Sequence, residues 1–207
     1  LGRYRLDAPL ARGGMGQVYR GVDVATGRLL AIKHIGAGDR ARVAREVDAL
    51  RLARLPGVVE LLDSVEEPDG AWLIMGLVEG RPFPAAAVGD WATLRRRAIA
   101  LLEVLRRIHA LGLVHRDIKP SNVLVTLYDG RPVPKVIDFG VAKATQARLT
   151  EKTLFTRLQQ WIGTPAYMSP EQAGLGSLDV DTRSDVYSLG VVLYELLTGR
   201  TPFDTQK

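Results

Sequence analysis

The stretch from His115 to Gly140 limits what this chain can become more than any other. It reads His115-Arg116-Asp117-Ile118-Lys119-Pro120-Ser121-Asn122, then Val123-Leu124-Val125, a turn around Asp129-Gly130, and Lys135-Val136-Ile137-Asp138-Phe139-Gly140. Two acidic residues and an amide thus stand at the ends of short β-branched runs. Carboxylate and amide oxygens are the donors magnesium takes, usually one or two carboxylates beside the phosphates of a substrate. A site that steers a hydroxyl toward a phosphate needs those groups.

The rest of the composition narrows the class. With 207 residues and 46% apolar content the chain can form one large or two small domains around a packed core. The absence of cysteine excludes a disulfide framework and thiolate metal sites, and it suits a reducing, cytoplasmic setting. The longest apolar run, Val186 to Tyr194, is broken by Ser188 and Gly190 and is too short to span a bilayer. The net charge of +5 resides partly in Arg95-Arg96-Arg97 and Arg106-Arg107 on a helical stretch, without the interleaved aromatics that stack bases. This favours a solvated helix face over a nucleic-acid surface. His34, His109 and His115 are dispersed and form no zinc motif; His34 reads as a strand surface residue and His109 as a helix-terminal or packing residue. The chain starts without Met or a leader and stops at Lys207, so it reads as a segment of something longer, the cytosolic part of a protein that a membrane could anchor.

Periodicity supplies a coarse map. Strand alternation flanks the glycine-containing stretch Leu10-Ala11-Arg12-Gly13-Gly14-Met15-Gly16-Gln17-Val18-Tyr19, for which a plain hairpin is the simplest account. Leu29 to Lys33 is an apolar strand ending in one ammonium. Between Asp39 and Leu55, Val43, Val47, Leu50 and Leu55 recur at helical spacing, and Val58–Val65 and Ala71–Met75 form two strands around a turn. Asp90 to Leu111 is a helix with Leu94, Ala98, Leu101, Leu102, Leu105 and Ile108 on one side, ended by Gly112. Val186 to Gly199 is apolar almost all round and reads as a buried helix. The long stretch from Gly140 to Glu171 is loop-like, with Leu154, Phe155, Leu158 and Trp161 spaced as a short docked helix.

His115-Arg116-Asp117 with Asn122, followed by Asp138-Phe139-Gly140, resembles the catalytic loop and metal-binding motif of the protein kinase family. Lys119 and the sequence Gly163-Thr164-Pro165-Ala166-Tyr167-Met168-Ser169-Pro170-Glu171 resemble the bacterial eukaryotic-like serine/threonine branch, with Ser169 where the pattern Ala-Pro-Glu has alanine. Gly13, Gly16 and Val18 match the glycine-rich loop of that family, while Ala11 replaces its first glycine. The resemblance implies an α+β, bilobal kinase fold: a small antiparallel sheet plus one helix and a hinge over 1–78, and a mainly helical part over 79–207 that lacks the family's last helices. Those helices would supply an Arg to Glu171.

By the same resemblance, ATP lies under Ala11, Gly13, Gly14 and Gly16, and Lys33 on its inner phosphates is fixed by Glu46, with Asp48 the fallback partner. Val18, Ala31 and Leu124 sandwich adenine near Met75, Gly76 and Val78. Asn122 and Asp138 hold Mg²⁺, with Mn²⁺ an alternative. Asp117 orients the acceptor hydroxyl, Lys119 offsets phosphate charge, and Thr164 orients both. Leu50, Leu61, His115 and Phe139 would stack, and Asp185 would buttress the catalytic loop. Protein serines and threonines are the implied acceptors, with Arg116 ready to pair a phosphorylated Thr150, Thr153 or Thr156 after autophosphorylation in a kinase–kinase dimer. A catalytically dead scaffold and a small-molecule phosphotransferase are the rival readings.

Overall fold

A computed structural model describes residues 1–13, 16–36, 40–68, 70–84, 90–139, 165–173 and 180–203. Five strands come first in an antiparallel sheet: β1 (Tyr4–Gly13), β2 (Gly16–Asp23), β3 (Leu29–Gly36), β4 (Leu61–Glu67) and β5 (Gly70–Gly76). Their order is β1-β2-β3-β5-β4. Helix α1 (Arg40–Leu52) is inserted between β3 and β4. The β4 strand starts at Leu61, three residues later than the apolar pattern suggests, because the chain from Gly57 to Val59 bonds elsewhere.

Alternation on β3 decides what the sheet faces. Leu30 and Ile32 join Ile74 in one small buried cluster, whereas Ile35 and the partly buried Ala31 join the main core on the opposite face. Lys33 shares the parity of Ala31 and Ile35, so its side chain is directed to the main-core side. Val43, Val47 and Leu50 of α1 lie in that same core.

The remainder is built on helices and a small second sheet. A short strand β6 (Arg81–Pro82) pairs with β7 (Val123–Tyr128), which pairs with β8 (Arg131–Val136). Helix α2 (Trp91–Ala110) starts where Asp90 accepts a hydrogen bond from the Thr93 amide at 2.8 Å, and it stops at Gly112, whose φ is +73°. Its buried stripe holds Leu94, Ala98, Leu101, Leu105 and Ile108 as expected, but with Val104 in place of Leu102, which is 44% exposed. A short helix α3 (Pro170–Ala173) precedes α4 (Thr182–Thr198), which Asp181 caps and Gly199 ends in a left-handed turn. Only one side of α4 is buried: Val186 and Leu197 are each 60% exposed, so its apolar outer face is not covered among the described residues.

The two parts are stitched by the link between α1 and β4. The Val59 amide donates to the Val136 carbonyl at 2.9 Å, and the Val136 amide donates to the Gly57 carbonyl at 2.7 Å. Gly57 has φ +97°, and a Cβ placed there would lie 2.4 Å from a Val104 methyl. Both the conformation and the contact demand glycine. Gly57→Ala should therefore lower unfolding free energy by about 2–4 kcal/mol, read from the shift of the urea midpoint at constant m-value.

Candidate active site

Lys33 is the deepest charged group on the cleftward face of β3. Its Nζ donates to Glu46 Oε1 at 2.5 Å and to Asp138 Oδ1 at 2.9 Å, and both Lys33 and Glu46 are only 1% exposed. Burial alone would push the ammonium pKa down, but the carboxylates of Asp138 and Glu46 outweigh it and hold the group charged. Glu46 reaches this position because it lies on the inward face of α1 with Val43, Val47 and Leu50; Asp48 is exposed.

A second cluster lies on the segment entering β7. Asp117 Oδ2 receives the Asn122 side-chain amide at 2.9 Å and pairs with Lys119 Nζ at 3.0 Å. The Asn122 Nδ2 also donates to the Asp117 carbonyl at 2.9 Å, which fixes the orientation of its amide. A single turn, Pro120–Asn122, brings the amide back over the aspartate. Backbone pairing then joins the clusters: the Ile137 amide donates to the Asn122 carbonyl at 2.9 Å, extending the β7–β8 ladder so that Asp138 is the residue after Asn122's cross-strand partner. Sequence-predicted Lys33, Glu46, Asp117, Lys119, Asn122 and Asp138 are thus collected by β3, α1 and the segments that enter β7 and leave β8.

The loop that holds Asp117 is pinned from below. Asp185, on the first turn of α4, accepts from the His115 amide at 2.9 Å, from the Arg116 amide at 2.8 Å and from His109 Nε2 at 2.8 Å. Burial works to raise the Asp185 carboxyl, but His109 and these amides prevail and keep it below the usual carboxylate range. Burial pushes His115 below its usual value, so its ring is neutral. Nδ1 accepts from the Asp117 amide at 3.3 Å, and Nε2 donates to the Ile137 carbonyl at 3.1 Å. The ring also packs on Phe139 with centroids 5.0 Å apart, while Leu50, Leu61 and Phe139 share the main core. Arg116 and Asp138 have φ of +67° and +53°. Such conformations cost a non-glycine residue about 1–2 kcal/mol, so the surrounding bonds must hold them.

Strand register places the residues expected around a nucleotide. Val18 is opposite Lys33, Ala31 is opposite Met75, and Ala11 is opposite Val18. Leu124 is opposite Pro82, just after the connection that carries Gly76 and Val78. Gly13 and Gly16 close the β1–β2 hairpin; Gly16 has φ +123°, and its Cβ would meet the His34 carbonyl at 2.1 Å. That glycine is thus demanded by backbone packing, whatever lies above it. Gly14, Thr164, Thr150, Thr153, Thr156 and the helical spacing within 149–161 lie outside the described residues.

Several contacts were not anticipated from the sequence. Ser184 Oγ donates to Glu171 Oε1 at 2.5 Å, Tyr167 Oη donates to Glu195 Oε2 at 2.6 Å, and Ser188 Oγ donates to the Tyr167 carbonyl at 2.7 Å. His109 is more than a helix-end residue, since it bonds Asp185. His34 is half-buried against Trp72, with ring centroids 4.2 Å apart. Only the Asp181 cap and the Ser169-x-x-Gln172 pattern carried a sequence signal for this region.

Known proteins resemble this chain in sequence and fold. The family described as "Protein kinase domain" matches residues 4–207. Serine/threonine-protein kinase pkn2 of Myxococcus xanthus is 40% identical over 98% of this chain and 25% of its own length. The DNA damage-responsive serine/threonine-protein kinase RqkA of Deinococcus radiodurans is 40% identical over 98% of this chain and 30% of its own. PknA of Mycobacterium tuberculosis is 38% identical over 98% of this chain and 48% of its own. The chain therefore spans a quarter to about half of the length of these relatives. The crystal structure of Rad53 1-466 in complex with AMP-PNP superposes with a TM-score of 0.76 at 26% identity, covering 99% of this chain and 51% of that one. The chain belongs to the protein kinase domain family, and these curated relatives are bacterial serine/threonine-protein kinases.

Proposed function

We propose that this chain is a catalytic domain that transfers the γ-phosphoryl group of ATP to serine or threonine hydroxyls of protein substrates in the cytoplasm, with residues 1–78 and 79–207 as its two lobes. The observation that carries the reading is the joining of Lys33, Glu46 and Asp138 to Asp117, Lys119 and Asn122 through the β7–β8 ladder. Phosphoryl transfer asks for alignment and charge neutralisation rather than covalent work, and this set of groups can do both.

The donor set fits magnesium. Asn122 Nδ2 is committed to Asp117, which leaves its amide oxygen for a cation, and Asp138 has a second carboxylate oxygen beyond the one that binds Lys33. Among the described residues no cluster of three or more His, Cys, Asp or Glu is arranged for a metal. One carboxylate and one amide suit an ion that keeps waters and substrate phosphates as ligands. Bound there, Mg²⁺ would neutralise developing phosphate charge.

The protein's own groups divide the remaining work. Lys33 holds inner phosphates and is kept in place by Glu46; the backbone of Gly13, Gly14 and Gly16, with Ala11 at the hairpin's edge, covers them. Val18, Ala31, Met75, Gly76, Val78 and Leu124 enclose adenine. Asp117, its Oδ2 held by two donors, receives the acceptor hydroxyl, and Lys119 balances charge on the moving phosphoryl, with Thr164 orienting both. The homology to serine/threonine kinases and the AMP-PNP bound by Rad53 1-466 support the assignment. Arg116 is half-buried, and burial depresses its pKa against the opposing pull of Asp185, with a smaller depression from Arg45. A phosphate beside it would gain a guanidinium partner, which supports control by phosphorylation of Thr150, Thr153 or Thr156 between two copies of the kinase.

Asp138→Asn should keep the fold, because Glu46 still pairs with Lys33, but with a lowered melting temperature, and should lower Mg²⁺-dependent transfer to a generic basic protein at least a hundredfold, measured with radiolabelled ATP. Retained transfer would remove the metal assignment, and transfer to aminoglycosides rather than protein would favour a small-molecule phosphotransferase. Phosphatase treatment of autophosphorylated protein should reduce its rate about fivefold or more, and Arg116→Ala should abolish that response.

A further inference from the structure

Gln172 lies on α3, away from the groups assigned to nucleotide and metal, yet both ends of its amide are engaged. Its Oε1 accepts from the Ser169 backbone amide at 3.2 Å and from Ser169 Oγ at 3.1 Å. This is the returning half of a capping box, with Ser169 before the first helical residue and Gln172 three positions on. Its Nε2 leaves the helix and donates to the Arg116 carbonyl at 2.8 Å.

That carbonyl belongs to the peptide group joining Arg116 to Asp117. The N–H of the same peptide donates to His115 Nδ1 at 3.3 Å, and the preceding N–H, of Arg116, is held by Asp185 at 2.8 Å. A planar peptide restrained at both its N–H and its C=O cannot swing. Gln172 completes the restraint, and it does so from the segment 165–173, which is itself fastened to α4 through Ser184, Ser188 and Glu195.

We propose that Gln172 is a positioning residue: its side-chain N–H fixes the Arg116–Asp117 peptide, and so sets Asp117 against an acceptor hydroxyl lying over residues 165–173. The inference rests on the kinase reading above and deepens it. Gln172 touches neither nucleotide nor acceptor in this account and acts only through the loop.

The two ends of the amide can be separated by substitution. Glutamate serves the capping half as well as glutamine does but has no N–H for Arg116. Methionine, of similar length, loses both bonds. In the full-length protein, Gln172→Glu should keep its Ser169 contact with a modest loss of melting temperature, show severalfold faster hydrogen exchange in a peptide covering residues 116–118, and transfer phosphate to protein about tenfold more slowly in kcat, with KM for ATP unchanged. Gln172→Met should show the same kcat loss together with a lower melting temperature. Wild-type exchange and wild-type kcat in Gln172→Glu would overturn the proposal, as would losses confined to Gln172→Met that follow its stability alone. The exchange measurement needs no activity, so the clamp is tested even if the wild type transfers no phosphate, an outcome that would sink the kinase reading by itself.

Discussion

The Lys33 ammonium, closed between Glu46 and Asp138, is the interaction on which the rest of this structure turns. It is the point at which the five-stranded sheet, helix α1 and the segment after β8 meet. Withdrawing a charge from water is expensive, and mutual attraction offsets that only when the partners are close and well placed. The 2.5 and 2.9 Å contacts meet this condition, and two carboxylates leave the ammonium no reason to release its proton. The arrangement is also conditional: loss of either helix position or strand register strands a buried charge, a penalty of about 3–5 kcal/mol. Sheet, helix and β8 therefore have to be placed together or not at all.

Much of this was legible in the sequence because the determinants are local. Glu46 follows Val43 and precedes Val47 and Leu50, so a 3.6-residue period places it on the buried face and Asp48 off it. Asn122 returns over Asp117 through a three-residue turn, and the Asp129-Gly130 turn sets the ladder that brings Asp138 alongside. Family resemblance then told which of these local features belong to one site.

What was not legible depends on packing between distant segments. Helical period allows both Val104 and Leu102 at the edges of the α2 stripe; the approach of Gly57 lies on the Val104 side, which is buried, while Leu102 is exposed. Gly16 was read as a phosphate-facing glycine; the close His34 carbonyl shows a second constraint, set by β3. His109 looked like a helix terminus because its partner, Asp185, is 76 residues away. The apolar perimeter of α4 suggested complete burial, but the described residues cover only the side bearing Ser184, Asp185, Ser188, Leu189, Val191 and Val192.

Helix α4 is the common anchor of the loop carrying Asp117 and of residues 165–173. From one rigid rod, Asp185 holds the loop carrying Asp117, Ser184 holds Glu171, Ser188 holds the Tyr167 carbonyl, and Glu195 holds the Tyr167 hydroxyl. A helix rises about 1.5 Å per residue with little give along its axis, so these anchors keep fixed spacings. Supports tied to separate flexible loops would let residues 165–173 and Asp117 drift independently, and for the transfer proposed above a misplacement of about 1 Å can lower a rate a hundredfold. The strained backbone at Arg116 fits this logic: its positive φ survives because bonds from α4 and α3 converge on it. Strain at that residue is thus the local consequence of making a loop answer to a helix.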